Sequence, residues 1–196
     1  LIALPSFGGR VPTIATERLS RIAGNGAACT LICVYGNRAF EDTLAEMEDT
    51  AKTCGFNVVA AVAAVAEHSI FPQFATGRPD AADAAQLRGF ARRIAEEATD
   101  TPAIPGNRPY KQGGRGGLVP QPTGTCVGCG LCARESPAQA IDTDGFAAGP
   151  ETCIGCMRCL RICPVSARKV NAAAVGPKAE ALSPVCTPRK ENELFL

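Results

Sequence analysis

The sequence has no tryptophan, a single histidine and only two methionines. It also lacks any excess of one charge. Twenty Lys and Arg stand against nineteen Asp and Glu, a formal net charge of +1, which leaves no field for gripping a polyanion and makes nucleic acid an unexpected partner. No long apolar run is present. The longest, Val58 to Ala66, is far short of the ~20 residues that a membrane-spanning helix requires. No charged-then-apolar leader opens the chain, so a cytoplasmic protein without a membrane span is expected. The first residue is Leu1, inside the apolar stretch LIALPSFGGR, and a segment upstream is expected.

Eleven cysteines are present, and seven fall between Cys126 and Cys163. Such a density implies disulfides in a secreted chain and metal or cluster ligation in a cytosolic one, and the second branch follows here.

Residues 1–98 alternate short apolar runs with amphipathic patterns, the signature of βαβ units around a parallel sheet. Strands are expected at Leu1–Leu4, Ala28–Tyr35 (ACTLICVY) and Asn57–Ala66. The last is ambiguous because alanine favours helix. Helices are expected at Val11–Ala23, Glu41–Cys54 and Asp80–Ala98, with Gly24 and Gly55 placed as C-caps. From 99 the apolar period collapses into a Gly/Pro-rich linker, 99–122. A Cys-rich segment, 123–172, consists of two repeats, about 123–146 and 147–172. TCVGCGLCARESPAQAI is echoed by TCIGCMRCLRICPVSAR at an offset of 27 positions. A tail, 173–196, shows no readable pattern.

Cys153, Cys156, Cys159 and Cys163, followed by Pro164, form a complete C-x2-C-x2-C-x3-C-P run, the spacing of 4Fe-4S ligation. Two residues between ligands let the backbone wrap tightly, and Gly128 and Gly155 suit a close approach to a cluster. Where two clusters are bound, the fourth cysteine of each run crosses to the other cluster. Cys126, Cys129, Cys132 and Cys163 then hold cluster 1. Cys153, Cys156 and Cys159 hold cluster 2, whose fourth ligand falls at Ser136, still followed by Pro137. A serine oxygen binds iron only as a poorly available alkoxide. Oxygen ligation, a 3Fe-4S cluster, or a corner filled by water or Cys186 all remain open. Structural zinc is the competing reading, but zinc favours two pairs of ligands over triplets with a distal Cys-Pro. A disulfide framework ranks lower, because seven is an odd number.

Elsewhere, Cys29, Cys33 and Cys54 read as small apolar residues rather than reactive thiols. His68 follows the third strand at its carboxyl end, where ligand loops of α/β sheets gather, and an ordinary loop histidine is the plainer interpretation. The loops SFGGRVP and YGNRAFED belong to the same end of the sheet.

The C-terminal Cys-rich part resembles bacterial ferredoxins with two 4Fe-4S clusters, and the N-terminal half resembles the latter part of a flavodoxin-like domain. The whole chain is similar to flavodoxin-ferredoxin fusion proteins of anaerobic bacteria, through the loop from Pro5 to Pro12 with Phe7, the Tyr35–Arg38 loop, and His68 with Ser69. The fold class implied is α/β, a partial flavodoxin-like parallel sheet (strands 3 to 5), plus a small α+β ferredoxin-like domain. The resemblance implies that Phe7, Gly8, Gly9, Arg10, Tyr35, Gly36, Asn37 and Arg38 face a flavin ring. No Ser/Thr-rich phosphate loop is present, so FMN is expected only in a longer parent protein, of which this chain is a fragment.

The function expected is one-electron transfer with redox partner proteins. A flavin-dependent reductase fed by the clusters and a non-catalytic iron-sulfur redox sensor are the alternatives, and whether the chain is an enzyme stays open.

Overall fold

The computed structural model describes residues 1–99, 101–113 and 117–196. Residues 100 and 114–116 of the expected linker lie outside the described residues. In chain order the elements are β1 (Ile2–Pro5), α1 (Thr13–Leu19), β2 (Ala28–Tyr35), α2 (Thr43–Thr53), β3 (Asn57–Val65) and α3 (Ala81–Glu97). There follow β4 (Gln121–Pro122), α4 (Leu131–Arg134), α5 (Arg158–Arg161), β5 (Arg168–Lys169), α6 (Ala172–Cys186) and β6 (Glu193–Phe195). They divide between two compact units, one of residues 1–68, 72–114 and 185–196, the other of 69–71 and 115–184.

The first unit is a mixed α/β layer structure around a four-stranded sheet ordered β1-β2-β3-β6. β1, β2 and β3 are parallel, and β6 runs antiparallel along β3, pairing Ala63 with Glu193 and Ala61 with Phe195. β3 is a strand despite five alanines in its neighbourhood, because it lies between two partner strands and is buried from Ala60 to Val65. Small side chains suit a strand covered on both faces. Leu31 and Cys33 of β2, Leu44, Met47 and Ala51 of α2, and Val58 and Val65 of β3 make the centre of the core, all at most 1% exposed.

Several expected boundaries shift for local reasons. β1 begins at Ile2, leaving Leu1 exposed. α1 spans only Thr13–Leu19. Pro12 stands at its N-cap, and tighter bonds from Arg21 to Arg18 and from Ile22 to Leu19 end it. α2 starts at Thr43 because Glu41 takes a left-handed backbone (φ 44°) and Asp42 is the N-cap. Gly55 follows the C-cap of α2 at φ 81° as expected, and its N–H donates to Lys52 O. Gly24 is not a C-cap. Its N–H donates to Cys54 O, and a Cβ there would come within 2.5 Å of Phe56 N. α3 begins with a reciprocal capping box between Asp80 and Asp83.

The segment after α3 contains an ordered strap. Asp42 accepts from the backbone N–H groups of Asn107 and Lys111, and Arg108 pairs with Glu48 and Asp49. The tail forms α6 and β6. Pro177 and Pro184 lie inside α6, and that is why the sequence does not read as helix there. Among the described residues no helix is long and apolar enough to cross a membrane.

Candidate metal centre

The second unit is built on its repeats. Its backbone takes the same unusual path twice. Gly128 (φ 65°) and Gly130 (φ 70°) are left-handed in the first repeat, and Gly155 (φ 68°) and Met157 (φ 59°) occupy the equivalent positions in the second. Each left-handed residue preceding the third cysteine launches a single helical turn, α4 or α5, that carries Cys132 or Cys159 as its second residue. Alternation of right- and left-handed residues turns successive N–H groups into a concavity that suits an anion, iron-sulfur sites included. The demand on Gly128 and Gly155 comes from the backbone. An added Cβ would meet its nearest polypeptide atom only at 3.6 and 3.9 Å respectively. Met157 shows that a side chain is tolerated where the first repeat has Gly130.

Cys126 and Cys129 are exposed, whereas Cys132, Cys153, Cys156, Cys159 and Cys163 are half-buried. The Cys163 sulfur accepts from Ala167 N–H at 3.2 Å, and the Cys132 sulfur accepts from Arg168 Nη1 at 3.5 Å. Burial pushes the Cys159 thiol up, and the Arg168 charge opposes that rise. Among the described residues no three His, Cys, Asp or Glu side chains are placed to hold one metal ion. A cluster makes a different demand, one thiolate for each iron at separate corners.

A shallow cavity, about 350 Å³ counting its space open to solvent, lies beside the second triplet. Its lining includes Cys153, Cys156, Cys159 and Ser136, with Ile141 and Met157 as apolar walls. Ser136 thus shares a cavity with the cysteines of the other repeat. Its Oγ accepts from Ala140 N–H at 3.1 Å. Cys186 belongs to the other unit and is fully buried there; its carbonyl accepts from Asn37 Nδ2 at 2.7 Å.

Arg168 is the residue that motif reasoning passes over. It is 5% exposed, donates to the carbonyls of Phe146 and Pro120 at 2.7 Å each, and leaves its Nε–H buried without a partner among the described residues. A signal was present in the repeat itself, because the offset of 27 sets Arg168 against the apolar Ile141. An orphaned buried donor beside cysteine sulfurs fits a sulfide-rich anionic group in this unit.

In the α/β unit, the parallel strands bring the Phe7–Arg10 and Tyr35–Arg38 loops and His68 to the carboxyl end of the sheet. Phe7 and Arg10 close a tight turn through Gly8 (φ 65°) and Gly9 (φ 83°). A Cβ on Gly9 would collide with Glu41, and one on Gly36 would lie 2.8 Å from His68 Cα. The polar groups are engaged by the chain. Arg10 pairs with Glu46 and lies over the Tyr110 ring, Arg38 pairs with Glu41, and Asn37, 1% exposed, donates to the carbonyls of Cys186 and Pro188. Burial pushes the Tyr35 hydroxyl up to about 12 and lowers His68, the latter with help from the Arg38 charge. Cys33 is buried and pushed up to about 12, and Cys29 is buried as well. Cys54 is half-buried, its thiol donating to Leu19 O.

A family model of the 4Fe-4S dicluster domain matches residues 125–167, from the start of the first repeat to one residue before Arg168. No curated protein matches the chain. Residues 125–167 are a ferredoxin-like iron-sulfur part that binds a 4Fe-4S cluster.

Proposed function

We propose that the chain is a one-electron carrier whose relay is built from the two Cys-rich repeats. In this reading Cys126, Cys129, Cys132 and Cys163 hold one cluster, and Cys153, Cys156 and Cys159 hold a second with Ser136 at its fourth corner. The observation that carries it is the duplicated backbone path, with left-handed residues at 128 and 130 and again at 155 and 157, which repeats the same turn within both cysteine triplets. The shared cavity supports Ser136 over Cys186 for the fourth corner. When bound, such clusters supply reversible one-electron uptake with the charge spread over several irons. The chain's own part is to hold the thiolates, point N–H groups at the anion and limit water.

Anaerobic purification followed by counts of iron, acid-labile sulfide, zinc and flavin tests this function. Iron and sulfide are expected together; zinc without sulfide overturns the reading.

The gathering of Phe7–Arg10, Tyr35–Arg38 and His68 at the carboxyl end of the sheet favours a second reading, in which the α/β unit is flavodoxin-like and the clusters feed a flavin that reduces a small substrate. Bound flavin together with substrate turnover separates it from simple electron carriage.

A further inference from the structure

Arg168 sits in the cysteine unit in a position that is costly for an isolated cation. It is 5% exposed, and its hydrogen bonds include two to backbone carbonyls and one to the Cys132 sulfur, with no ion pair to a carboxylate among the described residues. Burial strips the charge of its water without returning an opposite charge. Carbonyl dipoles offset part of that cost, yet the Nε–H remains unsatisfied. The side chain is well fixed at its root, because β5 pairs Arg168 with Pro122 of β4. Its surroundings connect both cysteine sets. Cys132 comes from the first triplet and accepts at 3.5 Å, and β5, the strand that carries Arg168, packs against α5, the turn that carries Cys159 of the second.

We propose that Arg168 is a shared counter-ion for the two iron-sulfur sites, a positioning residue that sets the reduction potential of both. The inference rests on the cluster assignment proposed above. Each loaded site is anionic and becomes more negative by one charge on reduction. A fixed cation near both therefore favours the reduced state of each, by a Coulomb term strengthened by burial. An arginine serves this better than a lysine, because its planar fork keeps two carbonyls and a sulfur in fixed directions while a further N–H stays available to a sulfur acceptor.

The test is a reductive titration of the reconstituted 196-residue chain with dithionite, with each cluster followed by electron paramagnetic resonance and iron and sulfide counted first. Arg168→Met removes the charge and keeps much of the length. It is expected to hold wild-type iron and sulfide while both potentials move to more negative values, and Arg168→Lys is expected to recover part of both shifts. Unchanged potentials in a fully loaded Arg168→Met protein overturn the proposal, and a shift confined to one cluster overturns the sharing. Should Arg168→Met fail to load, Arg168→Lys and Arg168→Gln decide the matter. Loading restored by Lys and not by Gln supports a counter-ion. Failure of all three variants, or wild-type potentials in a loaded Gln variant, indicates a packing role and overturns it. Absence of iron and sulfide from the wild-type chain instead refutes the cluster assignment itself.

Discussion

Ser136 lines the same cavity as Cys153, although 17 positions of sequence and a repeat boundary separate them. Its hydroxyl oxygen is already an acceptor for Ala140 N–H. A thiolate is the better iron ligand at neutral pH, so Ser136→Cys is expected to raise iron content toward about eight per chain and to remove any three-iron resonance. An unchanged iron count and spectrum would place position 136 away from the second cluster.

Metal removal is expected to order the cysteines by reactivity. In the iron-free chain under native conditions, Cys126 and Cys129 are exposed and alkylate with iodoacetamide first. Cys33, buried with its thiol pushed up to about 12, reacts only on unfolding. Peptide mass spectrometry over a time course reads the order, and early labelling of Cys33 would contradict the packed α/β core.

In the α/β unit, Arg78 and Asp83 form a buried pair, with Arg78 Nε donating at 2.9 Å and Asn192 Nδ2 adding a bond at 3.0 Å. The Arg78 guanidinium holds the Asp83 carboxyl well below the usual carboxylate range. Asp83→Asn leaves a buried cation unpaired and is expected to cost about 3 kcal/mol in urea unfolding at neutral pH. Because the folded-state value is depressed, this stabilisation is present above the unfolded value of about 4 and is lost as pH falls below it toward the folded value. The gap between wild type and Asp83→Asn should therefore stay flat above about pH 5 and narrow in acid. A gap independent of pH down to the acid limit would show that the pair's charge is not its contribution.

Gly24 and Gly26 are two residues apart and should respond differently to alanine. At Gly24 the new Cβ lies 2.5 Å from Phe56 N and 2.6 Å from Gly55 C, both backbone atoms that can yield only by moving the chain. A cost of about 3 kcal/mol is expected. Gly26 has φ 76° with open space around it, so only the left-handed conformation is penalised, by about 1 kcal/mol. Thermal unfolding of the two variants checks the ranking, and equal losses would refute it.

What could be read in the sequence follows from where one force dominates. β2 reads correctly from Ala28 to Tyr35 because a buried strand needs an unbroken apolar run, and α3 because Asp80 caps a long periodic pattern. The cysteine spacing is equally plain, since ligation chemistry fixes residue type and interval together. α6 was hidden by its prolines, and β6 by being three residues long and held by pairing with the distant β3. The strap at 107–111 was obscured in the same way, its order coming from Asp42 at the start of distant α2 and from Glu48 and Asp49 on it rather than from any local period. Arg168 escaped notice because a charge is normally a surface residue.

The antiparallel pairing of β6 with β3 has a consequence for the order of synthesis. Every cysteine of the two repeats leaves the ribosome before Glu193–Phe195 does, so β3 must wait with one edge uncovered while the iron-binding segment is made. An uncovered edge is a template for other chains. A nascent chain stalled within the repeats is therefore the species that a chaperone would have to shield.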